Sequence, residues 1–594
     1  MNKNDNVRTK FRNLYKFRIA FVLIAFAAAF GALGRHFYRL QIVRHEELHD
    51  KARSLYTTSV VRRGRRGSIF DRNGNLLVGN RAYKDIFAEP RRMPAEQQPY
   101  VIYCLAQQLD VAAATLRRRF NSGLVEVVVA KQVDIKDAAA IRELKLPGLR
   151  FVDSENRSYP KRKLLANVLG FTYADGRGAY GLEAVLDSVL APRQGRVVFE
   201  QDRKGQKIHR GSPEAYQPLD GGSVYLTIEE PIQHIVEQEL RAMVDKFVPR
   251  HAYAVMANPK TGAIMALAQL PSYNPNNRTK MDPARWRNRL ASDVYDPGST
   301  MKCIAIAGAL DYGVVSLDSI FDCEYGSWFY AGRPLRDSGH SYGQLEVREI
   351  IQKSSNIGAA KIAIAMGERR LYQTLRRFGF GERTGVGLPD ESPGLLRKLP
   401  DWDGLSITRF PIGQGISVTA LQLVQSYAAI ANGGYMMQFQ LLDRVVEGSS
   451  GKVVNYPPMG KHRVIRKSTA NAMISAMVLV TMEGGTATKA AVSGYFVAGK
   501  TGTSQKLVDG SYTGHGQYVA SFIGFVPATD PAFVLLVVAD APSAGKYYGG
   551  TVAAPTFSRI SEKVLRYLAV PPDMPGMDGS FSRQMASAQS RTED

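Results

Sequence analysis

The chain has 594 residues, 45% of them hydrophobic and 22% charged, the composition of a folded protein long enough for several domains. Lys and Arg outnumber Asp and Glu by 77 to 54, a formal net charge of +23, which admits a nucleic acid, a membrane surface or an acidic polymer as partner. No zinc-ligand spacing, phosphate-cradling glycine loop or aromatic-basic RNA signature accompanies that charge, so nucleic acid is set aside and no metal or cofactor is expected.

Six basic residues from Lys3 to Arg18 precede an uncharged run from Ile19 to Gly34 made almost wholly of Ala, Phe, Leu, Ile and Val. This is a membrane-inserting segment. As a helix the run rises only about 24 Å against a hydrocarbon core of about 30 Å. Leu14, Tyr15, Phe37 and Tyr38 lengthen it, and Arg18 and Arg35 reach toward the headgroups. A cleaved signal peptide is the rival, with Ala25, Ala27, Ala28 and Ala29 as a peptidase site. The apolar run continues past those alanines, which favours an uncleaved anchor over residues 19–39. The positive-inside rule then leaves a basic tail, residues 1–18, in the cytoplasm and everything after about residue 40 outside.

Beyond the anchor, Leu40 to Thr57 has a helical pattern that continues the span. Val60 to Val78 reads as two short strands around the Asn73-Gly74 turn, and the Arg62-Arg63-Gly64-Arg65-Arg66 cluster reads as a solvated loop or a lipid-phosphate contact. Residues 91–150 alternate small helices and strands. The block from Arg157 to Gly205 places Gly, Pro and charged residues at turns, which argues for an irregular α+β module with no pocket. Residues 40–220 are thus expected to form a non-catalytic pedestal.

Near Asp220 the elements lengthen. A helix opens around Glu229-Glu230-Pro231 and carries Ile232, Ile235, Val236, Leu240 and Val244 on one stripe. Strands are expected at Tyr253–Ala257, Ala263–Ala268, Phe496–Gly502, Tyr518–Phe525 and Ala532–Ala539, and a closing helix at 554–568. Strands surrounding a long helical insert predict an antiparallel sheet sandwiched by helices over residues 221–570, followed by a disordered tail, 571–594.

The chemistry is expected in Tyr295-Asp-Pro-Gly-Ser-Thr-Met-Lys302. Asp296-Pro297-Gly298 is a turn, and the apolar run from Met301 to Leu310 is a buried helix that makes Ser299 and Lys302 neighbours three residues apart. A serine is a weak nucleophile until a base takes its proton, and a lysine kept from water loses proton affinity until it serves as that base. An N-cap serine followed by an ordinary lysine is the bland alternative. Two further motifs give the pair company: Ser354-Ser355-Asn356 and Lys500-Thr501-Gly502-Thr503. Each short pattern recurs as a decoy, at Ser543–Lys546, Ser272–Asn274 and Lys260–Gly262. Only the first set combines an apolar helix after its serine with partners in order downstream.

These three signatures resemble those of the penicillin-recognising serine acyltransferases. Arg66 to Gly74, the Arg157-to-Gly205 block, Leu226 to Gln233, Gly413 to Gln422 and Ala429 to Gly434 extend the likeness to class B penicillin-binding proteins over roughly residues 60–560. The Gly413 block, the compact pedestal and the overall length look more like the septal, cell-division type than the elongation type. Ala191 departs from the pattern, where the family usually has glycine after the leucine.

The resemblance implies an α+β transpeptidase fold on a pedestal with one transmembrane helix, acting as a peptidoglycan D,D-transpeptidase that β-lactams trap. It implies Ser299 as nucleophile and Lys302 as base. Ser354 and Asn356 would relay protons and orient the substrate. Lys500 would hold the electrostatics, and Thr501, Gly502 and Thr503 would receive the terminal carboxylate, with an oxyanion hole from the N–H groups of Ser299 and Thr503. Partners implied are peptidoglycan stem peptides, a membrane-embedded glycosyltransferase and division proteins, at the bacterial cytoplasmic membrane with the catalytic domain outside. An elongation-type enzyme, a non-catalytic penicillin-binding scaffold or sensor and a β-lactamase are the alternatives. Three cysteines, Cys104, Cys303 and Cys323, leave open whether Cys303 and Cys323 pair.

Overall fold

In a computed structural model, the structure describes residues 3–62, 64–201, 207–208, 216–277, 282–506 and 516–574. It divides into two compact units, one drawn from residues 1–64 and 192–219, the other from residues 65–191 and 220–594.

In the first unit, helix α1 (Lys3–Tyr38) runs through a π turn, Arg39–Val43, toward α2 (His45–Tyr56). The expected continuous helix is therefore interrupted, because Arg44 leaves helical geometry at φ −105°, ψ 14°. The most apolar window within the helical stretch Thr9–Val43 has a mean hydropathy of 2.1, and none of it is buried within the protein. A bare apolar helix of 35 residues is long enough for a bilayer. The same unit holds a three-stranded sheet in which Thr57–Arg62 and Lys207–Ile208 flank Gly195–Gln201.

The second unit begins with a hairpin of Ile69–Phe70 and Leu76–Ala88. The Asn-Gly turn lies where the sequence placed it, but its first strand starts later, since Val60 and Val61 pair in the other unit. Asp71 builds the turn by accepting hydrogen bonds from Asn73 N (2.9 Å) and Asn75 N (2.7 Å), and it also accepts from Glu230 N at 3.0 Å. Leu76–Ala88 is the spine of the pedestal. It pairs with Leu149–Ser158 and with Val127–Val133, both antiparallel. Ile69–Phe70 runs parallel to Ser223–Leu226, which pairs onward with Leu442–Val446. One sheet thus contains strands from both sides of residue 220.

Arg66 is neither a solvated loop residue nor a lipid contact. It is 8% exposed, and its guanidinium pairs with Glu183 at 2.7 Å and Asp187 at 2.6 Å. Arg157 holds the other oxygen of Glu183 at 2.6 Å. The fully buried Glu183 therefore has two cations, the arrangement a buried carboxylate requires.

The rest of the unit is built on a five-stranded antiparallel sheet. Helix α3 (Glu230–Phe247) enters β1 (Pro249–Ala257), and β2 (Ile264–Leu270) follows across the Asn258–Gly262 turn. The helical insert includes α4 (Met301–Asp311), α5 (Val347–Lys353), α6 (Asn356–Met366) and α7 (Ala420–Ala431). The chain then returns as β3 (Ala498–Gln505), β4 (Tyr518–Val526) and β5 (Phe533–Pro542), and closes with α8 (Ala554–Tyr567). The strand order is β2-β1-β5-β4-β3, which leaves β3 at an edge. Consecutive residues of β4 and β5 are buried, and successive side chains point to opposite faces, so both faces are covered. Helices α3 and α8 pack on each other and on the sheet, and α7 packs on β1, β4 and β5.

Residues 571–574, expected to open the tail, are instead tied down. Asp573 accepts hydrogen bonds from Phe496 N and Thr529 Oγ1, both at 2.8 Å. Residues 575–594 lie outside the described residues.

Candidate active site

The turn that carries Ser299 is clamped by its neighbours. Tyr295 exchanges backbone hydrogen bonds with Val418 at 3.0 and 2.9 Å, and Gly298 N donates to Gly413 O at 3.3 Å. Gly298 has φ +59°, and Gly413 lies so close that a Cβ there would stand 2.2 Å from Gly298 O. Both positions need glycine for a physical reason, one for backbone conformation and one for space. Ser504 Oγ on β3 donates to Asp296 O at 2.6 Å, Ser417 Oγ donates to Asp296 Oδ1 at 3.0 Å, and Tyr427 on α7 donates to Thr300 O at 2.8 Å. A single 3₁₀ turn, Gly298–Thr300, then leads into α4.

Lys302 points inward from the first turn of α4, and Lys500 stands on the edge strand β3; both are 0% exposed. Between them is Ser354, in the left-handed region at φ +63° where α5 ends and α6 begins. Its Oγ lies 3.0 Å from Lys302 Nζ and 2.9 Å from Lys500 Nζ, and its carbonyl accepts from Lys302 Nζ at 2.5 Å. The structure thus joins Lys302 to Ser354. Among the described residues none hydrogen-bonds the half-buried Ser299 hydroxyl, so the expected Ser299–Lys302 contact is not formed. Catalytic hydrogen bonds often tighten only around substrate.

Asn356 donates its side-chain amide to Arg336 O at 2.8 Å. Lys500 Nζ also reaches Thr501 Oγ1 at 3.3 Å, and Thr501 Oγ1 lies 3.1 Å from Thr486 Oγ1. Thr503 Oγ1 accepts from Gly549 N at 3.1 Å, which leaves its hydroxyl proton to donate. Gly502 packs against the serine turn, where a Cβ would meet Ser521 Oγ at 2.3 Å and Pro297 O at 3.0 Å. The sequence reading gave no role to Ser417, Tyr427, Thr486 and Ser504. Of these, Ser417 lies inside the Gly413–Gln422 block and Ser504 directly continues the Lys500–Thr503 motif.

Burial governs the protonation of the lysines. Removal from water, reinforced by the charge of Lys500, pulls the Lys302 amine well below its ordinary value. Burial lowers Lys500 to about 8. Cys303, next to Lys302, and Cys323 are both free buried thiols. The decoys are occupied elsewhere: Ser543 Oγ donates to Val248 O, Lys260 pairs with Asp530, and Ser272 Oγ donates to Lys163 O.

A buried lysine pair sharing one serine hydroxyl, beside an unengaged serine, is a site for acyl transfer. The family description "Penicillin binding protein transpeptidase domain" matches residues 252–562, and "Penicillin-binding Protein dimerisation domain" matches residues 62–226. The chain is a class B penicillin-binding protein. Its transpeptidase domain makes it a peptidoglycan D,D-transpeptidase of the serine type. It is 33% identical to the probable peptidoglycan D,D-transpeptidase PenA of Neisseria gonorrhoeae, covering 94% of each chain. Identity to peptidoglycan D,D-transpeptidase FtsI of Escherichia coli K12 is 35% over 86% of this chain and 84% of that one. Among solved structures, penicillin-binding protein 3 of Mycobacterium tuberculosis, complexed with aztreonam, matches 86% of this chain and 98% of its own at 27% identity with a TM-score of 0.68.

The depressed lysines of this penicillin-binding protein carry a stability consequence with a definite sign. Lys500 binds its proton less readily folded than unfolded, so between pH 8 and 10.5 the unfolded state holds more protons and stability rises with pH. The slope is at most about 1.4 kcal/mol per pH unit for this one group. Denaturant unfolding of the full chain across that window is expected to show the rise, and Lys500→Met to lessen it while the depressed Lys302 still contributes; an equal slope in the variant would contradict the buried, depressed amine.

Proposed function

We propose that Ser299 is the acylated nucleophile of this transpeptidase and that the enzyme cross-links peptidoglycan stem peptides during septal wall synthesis. The observation that carries the reading of the site is the bridging of Lys302 and Lys500 by the Ser354 hydroxyl, with Lys302 in the first turn of α4, the helix that follows Ser299.

Neutral Lys302 takes the Ser299 proton as Oγ attacks the carbonyl carbon of the penultimate D-Ala. The tetrahedral oxyanion is met by the N–H groups of Ser299 and Thr503, each worth about 10²–10³ in rate in comparable sites. Collapse breaks the peptide bond and expels D-Ala, whose nitrogen receives a proton through Ser354. Lys302 then deprotonates an acceptor amine, which attacks the acyl-enzyme, forms the new amide and returns the proton to Ser299. Lys500 keeps positive potential beside the substrate carboxylate, Thr501 and Thr503 donate to it, and Gly502 lets their strand close on the serine turn. Asn356 orients the Ser354 turn. A β-lactam enters the same path but stays attached, because its leaving amine remains tethered to the acyl group.

The chain divides in this reading into a cytoplasmic tail (1–18), a single-pass anchor (19–39), a pedestal (40–220), the transpeptidase domain (221–574) and a tail (575–594). The anchor sits in the bacterial cytoplasmic membrane with the catalytic domain outside it, and anchor and pedestal meet a polymerising glycosyltransferase and division proteins. The septal assignment is supported by the likeness to proteins named FtsI and penicillin-binding protein 3.

Ser299→Ala is expected to abolish covalent labelling by a fluorescent penicillin, and labelling at full stoichiometry would overturn the assignment of the nucleophile. A fluorescent fusion of the full chain is expected to gather at midcell in dividing cells; an even distribution along the lateral wall would replace the septal role with an elongation role.

A further inference from the structure

Ser354 can bridge two amines only if its hydroxyl is held between them, and its backbone conformation, φ +63°, is one that a non-glycine residue adopts only when its surroundings impose it. The restraint comes from outside the site. Asp337 Oδ1 accepts from Asn356 N at 2.5 Å and from Ile357 N at 3.1 Å, and Asp337 Oδ2 accepts from Ser355 Oγ at 2.8 Å. The preceding carbonyl, Arg336 O, accepts the Asn356 side-chain amide at 2.8 Å. One dipeptide therefore holds every residue of the turn after Ser354.

Asp337 is itself fixed. It follows the strand Arg333–Arg336, which pairs with Ser327–Tyr330, and its N–H donates to Gly326 O at 3.1 Å. Helix α6 has an N-cap without it, because Ser355 Oγ accepts from Gly358 N at 3.0 Å. A second acceptor is not needed to start the helix. What the carboxylate adds is the position of the start, and a negative charge at a helix N-terminus is a favourable anchor.

We infer that Asp337 is a positioning residue for acylation: by gripping residues 355–357 it sets the Ser354 hydroxyl between Lys302 and Lys500. The inference rests on the reading of Ser299 as nucleophile and of the Ser354 bridge as its proton path. A hydroxyl displaced by about 1 Å from both amines costs on the order of 100-fold in the chemical step while leaving binding of the inhibitor ring nearly untouched.

The test is stopped-flow acylation of the full-length protein by a fluorescent penicillin, resolving the saturating rate k2 from the dissociation constant K, for wild type, Asp337→Ala and Asp337→Asn. Asp337→Ala is expected to lower k2 about 100-fold with K unchanged. Asp337→Asn keeps an oxygen for the two N–H groups and loses the acceptor for Ser355, so k2 is expected to recover to within about tenfold of wild type, with Tm lowered less than in Asp337→Ala. Wild-type k2 in Asp337→Asn and Asp337→Ala, or a loss confined to K, would overturn the inference. If Asp337→Ala does not fold, Asp337→Asn decides alone: a three- to tenfold lower k2, about what one weakened positioning contact costs, supports the inference, and a wild-type k2 overturns it. Ser299→Ala runs alongside, since labelling of that variant would sink the assignment of the nucleophile whatever the Asp337 variants do.

Discussion

Two lysine amines kept from water and joined through one serine hydroxyl are the constraint on which the rest of this molecule depends. Among the described residues, no carboxylate lies within ion-pair distance of Lys302 or Lys500. Burying an amine without a counter-charge favours its neutral form, which is what a base for a serine proton must be. That arrangement opposes folding, because a charged lysine in the unfolded chain is better solvated. It persists only where surrounding elements fix it.

Those elements are deeply buried. Helix α4 is buried on nearly every side from Met301 to Ala309, so Lys302 cannot swing to solvent. Lys500 lies on an edge strand whose inner neighbours β4 and β5 are buried along almost their whole length. The serine turn is pinned from three directions by Gly413, Ser504 and Tyr427. The edge position of β3 matters for another reason. Among the described residues its outer side has no neighbouring strand, so an extended peptide has backbone to lie against where Thr501 and Thr503 stand.

Much of this was legible in the sequence, and the reasons differ by feature. The apolar run after Ser299 reads as a buried helix, and the five strands were found within a few residues of their ends because four of them are largely apolar blocks between turns and the fifth, β3, opens from the apolar Phe496–Ala498. The Lys260 turn was separable from Lys500 because Asn258 and Gly262 mark a hairpin. The apolar N-terminal helix was visible in composition alone. What the sequence hid were relations across long separations. Arg66 reads as one of a basic cluster, but its partner Glu183 is 117 residues away. Ser223–Leu226 looks like the start of a domain, but it pairs with Ile69–Phe70. Lys302 was expected to face Ser299, but its amine turns to Ser354, 52 residues on, whose carbonyl and hydroxyl both accept from it. Asp337 carries no motif of its own, and its importance is visible only in the three donors that converge on it.

The central claim is that Ser299, and not the serine that bridges the lysines, forms the acyl bond. Mass spectrometry of the full chain after reaction with a penicillin, followed by trypsin digestion, tests it most directly. The peptide Leu290–Lys302 is expected to carry the penicilloyl mass on Ser299 in one-to-one stoichiometry. An adduct on Ser354, or on any residue outside that peptide, would contradict the account.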